Sequence, residues 1–212
     1  MMHRLVLIVA ISLAGVMAYT DATPVRAQED AATCASAVWL EPGAATPEAG
    51  DAGVRTIDEN PAWLTAELTD ACSGESFALT DFAGKTLLIE TMATWCRECH
   101  AQLTRLAQAA AQISDAQQED IVLVALSLET DLPPEDLAAY AVANEFPFVF
   151  AVLPVETVKT LAEQFGQVVT VPPATPHVIV SPDGTIGELR TGPTSPEDLL
   201  ALFAAARESS TP

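Results

Sequence analysis

The sequence predicts an α/β fold: a central mixed β-sheet flanked by helices, with an N-terminal β-hairpin extension. Three observations carry this. Apolar, strand-like runs at Thr86–Ala93, Ile121–Leu128 and Phe148–Leu153 alternate with helical patterns, the order that builds parallel strands joined by crossover helices. The run Ile121–Leu128 (IVLVALSL) is nearly continuous in aliphatic residues, as befits a strand covered on both faces. The chain then closes with a hairpin signal, Asp183-Gly184 between His177–Ser181 and Ile186–Arg190, and a final helix.

The elements follow in order. Met1–Arg4 is a short basic start, and Leu5–Ala18 is an apolar run. At this length it falls short of the roughly 20 residues of a membrane span and fits the core of a signal peptide. Residues 1–27 are therefore read as a signal peptide cleaved after Ala27, with Ala18 as the other cleavage site and an uncleaved anchor as the alternative. Residues 28–60 are rich in Ala, Pro, Gly and acids and lack periodicity over Glu41–Thr56, which reads as a flexible tail. The folded domain spans 61–207. It begins with a hairpin over Trp63–Leu79 that turns at Asp70–Gly74. Lys85 is a turn residue before the Thr86 strand.

A helix is expected from Arg97 to Ala116, with Leu103, Leu106, Ala110 and Ile113 on one apolar face. Pro133-Pro134-Glu135-Asp136 opens another, running to Asn144, with prolines and acids in its first turn. Glu156–Phe165 is a third. Ser195-Pro196-Glu197-Asp198 starts the last, which ends near Arg207, with an N-cap, a proline at the first helical position and two acids.

The 212 residues carry 9 bases against 29 acids, a formal net charge of −20. A surface this acidic argues against nucleic acid and anionic membrane as partners. With half of its residues hydrophobic, the chain has material for one core of ordinary size.

The chemistry is concentrated in Trp95-Cys96-Arg97-Glu98-Cys99-His100, where a strand hands over to a helix. Cys96 would lie at the helix N-terminus, beside unpaired backbone N–H groups and the positive end of the helix dipole. That setting favours the thiolate, the form of cysteine that attacks disulfides. The spacing lets Cys96 and Cys99 close a small ring and switch between dithiol and disulfide. Arg97 adds positive charge beside the thiolate and Glu98 opposes it. Glu90, at the end of a buried strand, would have a raised pKa through desolvation and is a candidate acid/base toward Cys99.

This stretch resembles the thioredoxin superfamily, with its W-C-x-x-C at the start of the first core helix. Glu90 lies six residues before Cys96, where thioredoxins carry a buried aspartate. Thr175-Pro176, followed by His177–Val180 and Asp183-Gly184, resembles the family's cis-proline, next strand and turn. Gly84-Lys85 and the long segment between Cys99 and Pro176 resemble the extracytoplasmic TlpA/ResA-like branch, and the N-terminal hairpin is similar to that branch's own. The likeness covers residues 61–207. It departs at Glu98, where many members have proline, and at Glu90, where TlpA-like members often have asparagine; both leave the direction of electron flow open.

The resemblance implies an exported thiol–disulfide oxidoreductase that reduces disulfides in protein partners, apocytochromes or other exported proteins among them. Cys96 attacks, Cys99 resolves and Glu90 shuttles a proton. Pro176 is the expected cis-proline, with Thr175 presenting its backbone to an incoming peptide and Trp95 shaping docking. An upstream membrane electron donor would supply reducing equivalents to a monomer that needs no organic cofactor.

Two other readings use the same letters. Cys96, Cys99 and His177 together suit Cu(I), which gives a copper chaperone. Cys96-Arg97-Glu98-Cys99-His100 also matches the C-x-x-C-H haem attachment signature, with His100 as axial ligand. The remaining cysteines, Cys34 and Cys72, are expected to form a disulfide that staples the tail to the domain, with two free thiols as the alternative; such a link contributes on the order of 3–4 kcal/mol.

Overall fold

The computed structural model describes residues 60–114 and 119–208. The signal-peptide and tail expectations, and Cys34, lie outside them. A four-stranded sheet in the order β5-β4-β3-β6 forms the centre, from β3 (Thr86–Met92), β4 (Ile121–Ser127), β5 (Val149–Val152) and β6 (His177–Val180). Strands β3, β4 and β5 are parallel, and β6 runs antiparallel to β3. All seven residues of β3 and all seven of β4 are buried, so the unbroken aliphatic run at Ile121 is the central strand its composition implies.

Alternation along the strands divides the core into two layers. Leu88 and Met92 pack with Leu103 and Leu106 of α2 (Arg97–Ala110), with Leu137 of α3 (Pro134–Ala143) and with Leu199 and Phe203 of α5 (Pro196–Glu208). Leu87 and Ile89 point the other way, onto Trp63 and Leu64 of α1 (Ala62–Thr65), Leu161 of α4 (Val155–Phe165) and the hairpin. The expected apolar face of α2 is the one it buries.

The hairpin is shorter than its sequence suggests: β1 (Leu68–Thr69) pairs only with β2 (Ser76–Phe77). Trp63–Thr65, expected as strand, is a helical turn behind Pro61 that buries both Trp63 and Leu64, with Trp63 against the ring of Phe165. Adjacent buried residues suit a helix turn and not a half-buried strand, whose side chains alternate. Asp70 organises the turn: Oδ2 accepts from the N–H and hydroxyl of Ser73, at 2.8 and 2.9 Å, while Ala71 N–H donates to the Phe150 carbonyl of β5.

Two further differences are local. Helix α2 stops at Ala110, six residues early, because Gln112 and Ile113 donate to carbonyls three residues back and tighten the chain into a turn. Residues 186–190 run alongside β6 through isolated bridges, Val180 with Ile186 and His177 with Arg190, and not as a continuous strand. Gly187 is pressed against the Ile179 carbonyl, 3.1 Å from where a Cβ would sit. At α5, Ser195 Oγ accepts from Asp198 N–H at 3.1 Å and donates to its carboxylate at 2.6 Å, the cap expected there.

Candidate active site

Strand β3 ends at Met92, and four residues later the chain enters α2. Cys96 is the N-cap of that helix, and Cys96 and Cys99 are joined by a disulfide. The N–H of Cys99 donates to the sulfur of Cys96 at 3.1 Å, so an otherwise unpaired donor of the first turn is aimed at it. The two sulfurs differ in setting. Cys96 and Cys99 are both buried, at 2% and 0% exposure, and what separates them is the group that faces each sulfur. Trp95, 67% exposed, stands beside Cys96 in solvent.

Glu90 is fully buried, and neither carboxyl oxygen has a hydrogen-bond partner among the described residues. It shares the sheet face of Leu88 and Met92, the face that α2 covers. Burial alone pushes its pKa well above the ordinary 4.5, because the charged form has lost its hydration. The group directly opposite is His177 of β6. Thr91 N–H donates to the Pro176 carbonyl, and the backbone groups of His177 bond Arg190 instead. Glu90 and His177 are therefore a non-hydrogen-bonded pair, the arrangement that brings facing side chains closest.

His177 is itself buried. Its Nδ1–H donates to the Thr175 carbonyl at 3.0 Å, and its Nε2 lies 3.2 Å from Thr194 Oγ1. Desolvation lowers its pKa, partly offset by the Thr175 bond and reinforced by the charge of Arg190. Burial thus favours the uncharged form of both facing groups. Thr194 N–H donates to Oε1 of Gln102, a fully buried residue of α2 whose Nε2 has no partner among the described residues. Sequence reading passed over Gln102, yet a signal was present: it lies three residues after Cys99, on the helix face that carries Leu103 and Leu106.

One expectation at the Pro176 loop is corrected. No peptide bond among the described residues is cis, so Thr175–Pro176 is trans; the chain turns through Thr175 itself, in the left-handed region at φ 45°. The Thr175 backbone is engaged within the chain. Its N–H donates to the Pro172 carbonyl at 2.8 Å and its own carbonyl accepts from His177. Cys96, Cys99 and His177 do not assemble as a copper site: no group of three or more His, Cys, Asp or Glu residues among those described is placed to hold a metal, and both ring nitrogens of His177 are engaged. His100 is exposed on α2, with its ring near those of Tyr140 and Phe146 and Nδ1 3.4 Å from the Tyr140 hydroxyl. Cys72 is disulfide-bonded, and its expected partner Cys34 lies outside the described residues.

A C-x-x-C disulfide capping the helix that follows the central strand of a mixed α/β sheet defines a thioredoxin-like thiol–disulfide oxidoreductase. The chain belongs to the AhpC/TSA family, whose model matches residues 62–189. Against curated proteins the chain finds no match. Similar solved structures include a thiol:disulfide interchange protein of the thioredoxin family from Chlorobium tepidum TLS, at 13% identity and TM-score 0.56, covering 66% of this chain and 92% of that one. A secreted Mycobacterium tuberculosis disulfide oxidoreductase homologous to E. coli DsbE aligns at 19% identity and TM-score 0.50, covering 69% and 99%. Arabidopsis thaliana ScoI with copper bound aligns at 16% and 0.53, covering 68% and 96%. At these identities the likeness is one of fold.

Proposed function

We propose that the protein is an exported reductase of the TlpA/ResA-like branch, exchanging its Cys96–Cys99 pair with disulfides of extracytoplasmic proteins. The observation that carries this reading is the helix-capping disulfide with a buried, unpartnered carboxyl on the sheet face beneath it. In the reductive half-cycle the Cys96 thiolate attacks a partner disulfide; one S–S bond breaks, a mixed disulfide forms, and the released partner sulfur takes a proton. Cys99 then loses its proton to the Glu90 carboxylate and attacks Cys96, freeing the second partner thiol and restoring the disulfide. When a donor dithiol reduces the pair again, Glu90 returns that proton to Cys99 as it leaves, so one proton cycles between the two groups.

Trp95 is the docking residue in this reading. A membrane electron donor supplies the two electrons, and apocytochromes are among the exported substrates. Residues 1–27 serve as the export signal or anchor, 28–60 as a tail stapled through Cys34 and Cys72, and 61–207 as the catalytic domain. No helix among the described residues is long and apolar enough to cross a membrane.

The test is the reduction potential of the pair in glutathione or dithiothreitol buffer, read from Trp95 fluorescence, after recording the visible spectrum and copper content of the sample. A value near that of thioredoxin, about −270 mV, supports a reductase; one near that of DsbA, about −120 mV, makes it an oxidant. A haem band, or tightly held stoichiometric copper with no redox transition, discards the reading.

A further inference from the structure

The turn that carries the reactive pair is held by one carboxylate from a neighbouring strand. Thr94 N–H donates to Glu129 Oε2 at 2.6 Å, and the Thr94 hydroxyl lies 2.9 Å from the same oxygen and 3.2 Å from Oε1. Glu129 follows β4, which is locked to β3 beside it: Ser127 pairs with Met92, and Leu128 N–H donates to the Met92 carbonyl at 2.9 Å. Ser127 Oγ accepts the N–H of Glu129 at 3.2 Å and approaches its carboxylate at 3.5 Å. The turn closes with Cys96 N–H on the Ala93 carbonyl at 3.0 Å. A negative charge is therefore fixed, from two sides, at the residue two positions before Cys96.

The ion pairs among the described residues are Lys159–Glu156 and Arg207–Asp120, and Glu129 is in neither. Its charge reaches its surroundings: the Tyr140 phenol of α3 is pushed up to about 12 by burial first, then by Glu90 and Glu129. The other titratable groups around the turn are Glu90 of β3 and, on α2, Cys96, Arg97, Glu98, Cys99 and His100.

We propose that Glu129 is a positioning residue: it clamps the Thr94–Cys96 turn, and its fixed charge disfavours the Cys96 thiolate, biasing the pair toward the disulfide and the protein toward donating electrons. The proposal rests on the oxidoreductase reading above and supplies the direction that the C-x-x-C motif leaves open. The equilibrium it acts on is balanced: the protein disulfide and two glutathione thiols give the protein dithiol and glutathione disulfide. Where Cys96 is ionised, one proton passes to buffer. A carboxylate near that thiolate weakens the right-hand side; the helix N-terminus strengthens it.

The test compares the full chain with Glu129→Gln, which keeps an acceptor for Thr94 and loses the charge, and with Glu129→Ala, which loses both. In glutathione buffer Glu129→Gln is expected to move the equilibrium toward dithiol by roughly fivefold, the order of effect of one nearby unit charge in partly solvated protein. The difference should shrink as ionic strength rises. Glu129→Ala should in addition speed hydrogen exchange at the Thr94–Cys96 amides, an effect Glu129→Gln largely spares. An equilibrium for Glu129→Gln equal to wild type at low salt, or displaced toward disulfide, overturns the proposal, and this comparison stands even where Glu129→Ala does not fold. A wild-type protein with no dithiol–disulfide transition would instead defeat the oxidoreductase reading itself.

Discussion

The sulfur of Cys99 lies 3.1 Å from the carbonyl oxygen of Pro172. In the reduced protein a Cys99 thiol held at this position would donate to that carbonyl, whereas a thiolate would face the negative end of its dipole. Cys96 has the opposite surroundings, with the Cys99 N–H aimed at its sulfur. The reduced pair should therefore react unequally. At neutral pH, iodoacetamide is expected to modify Cys96 well before Cys99, as read by mass spectrometry of quenched time points. Equal rates would remove the asymmetry on which the attacking and resolving roles depend.

Glu90→Gln is expected to separate stability from turnover. The folded pKa of Glu90 is raised, so the native state keeps a proton that the unfolded chain releases near pH 4.3. Above that pH the wild type loses stability as pH rises, by up to about 1.4 kcal/mol per unit, until the folded group itself ionises. The glutamine variant escapes this slope. Denaturant midpoints across pH 4 to 8 should show it gaining on the wild type as pH increases, with the two converging at the acid end. Turnover of a small disulfide should fall in the same variant; unchanged turnover excludes Glu90 from the proton cycle.

His177 has the reverse dependence. Its folded pKa lies below the ordinary 6.5, so on acidification the unfolded chain takes up a proton first. Stability is level above about pH 6.5 and declines below it. Replacing His177 with glutamine should flatten that decline, seen as an acid limb of thermal unfolding shallower than wild type's. An unaltered limb would assign the acid sensitivity to other groups.

Trp95→Ala tests docking. At 67% exposure the indole makes little contribution to the core, so the thermal midpoint should hold, with a stability change within about 0.5 kcal/mol. The kcat/KM for a protein disulfide should drop several-fold while that for a small disulfide stays near wild type. Equal losses on both substrates would make Trp95 a residue of the redox centre and not of the partner surface.

Much of this site was legible because its parts are local in sequence. Cys96 and Cys99 share one helix turn, and Glu90 is six residues upstream on the strand that feeds it. Helix starts at Pro134 and Ser195 were equally plain, since caps and first-turn acids act within four residues. What was not legible depends on register and long-range contact. Thr94 and Glu129 are 35 residues apart and meet only because β3 and β4 align Met92 with Ser127. The trans turn at Thr175 reflects a backbone tied at both its N–H and its carbonyl, which no dipeptide pattern announces. Trp63 and Leu64 misled because two large apolar neighbours suit either a strand edge or a buried helix turn, and the ring of Phe165 that decides between them is a hundred residues away.

The pinning of the hairpin turn onto β5 has a consequence for the protein in solution. Strands β5 and β6 end the sheet, and an open strand edge is a template on which a second molecule can extend it. Here Asp70 bridges to Ala151 along one border, and residues 186–190 cover β6 along the other. The chain's own backbone thus contacts each rim of the sheet at these points. A second copy adding a strand at these points would first have to displace the chain's own backbone contacts.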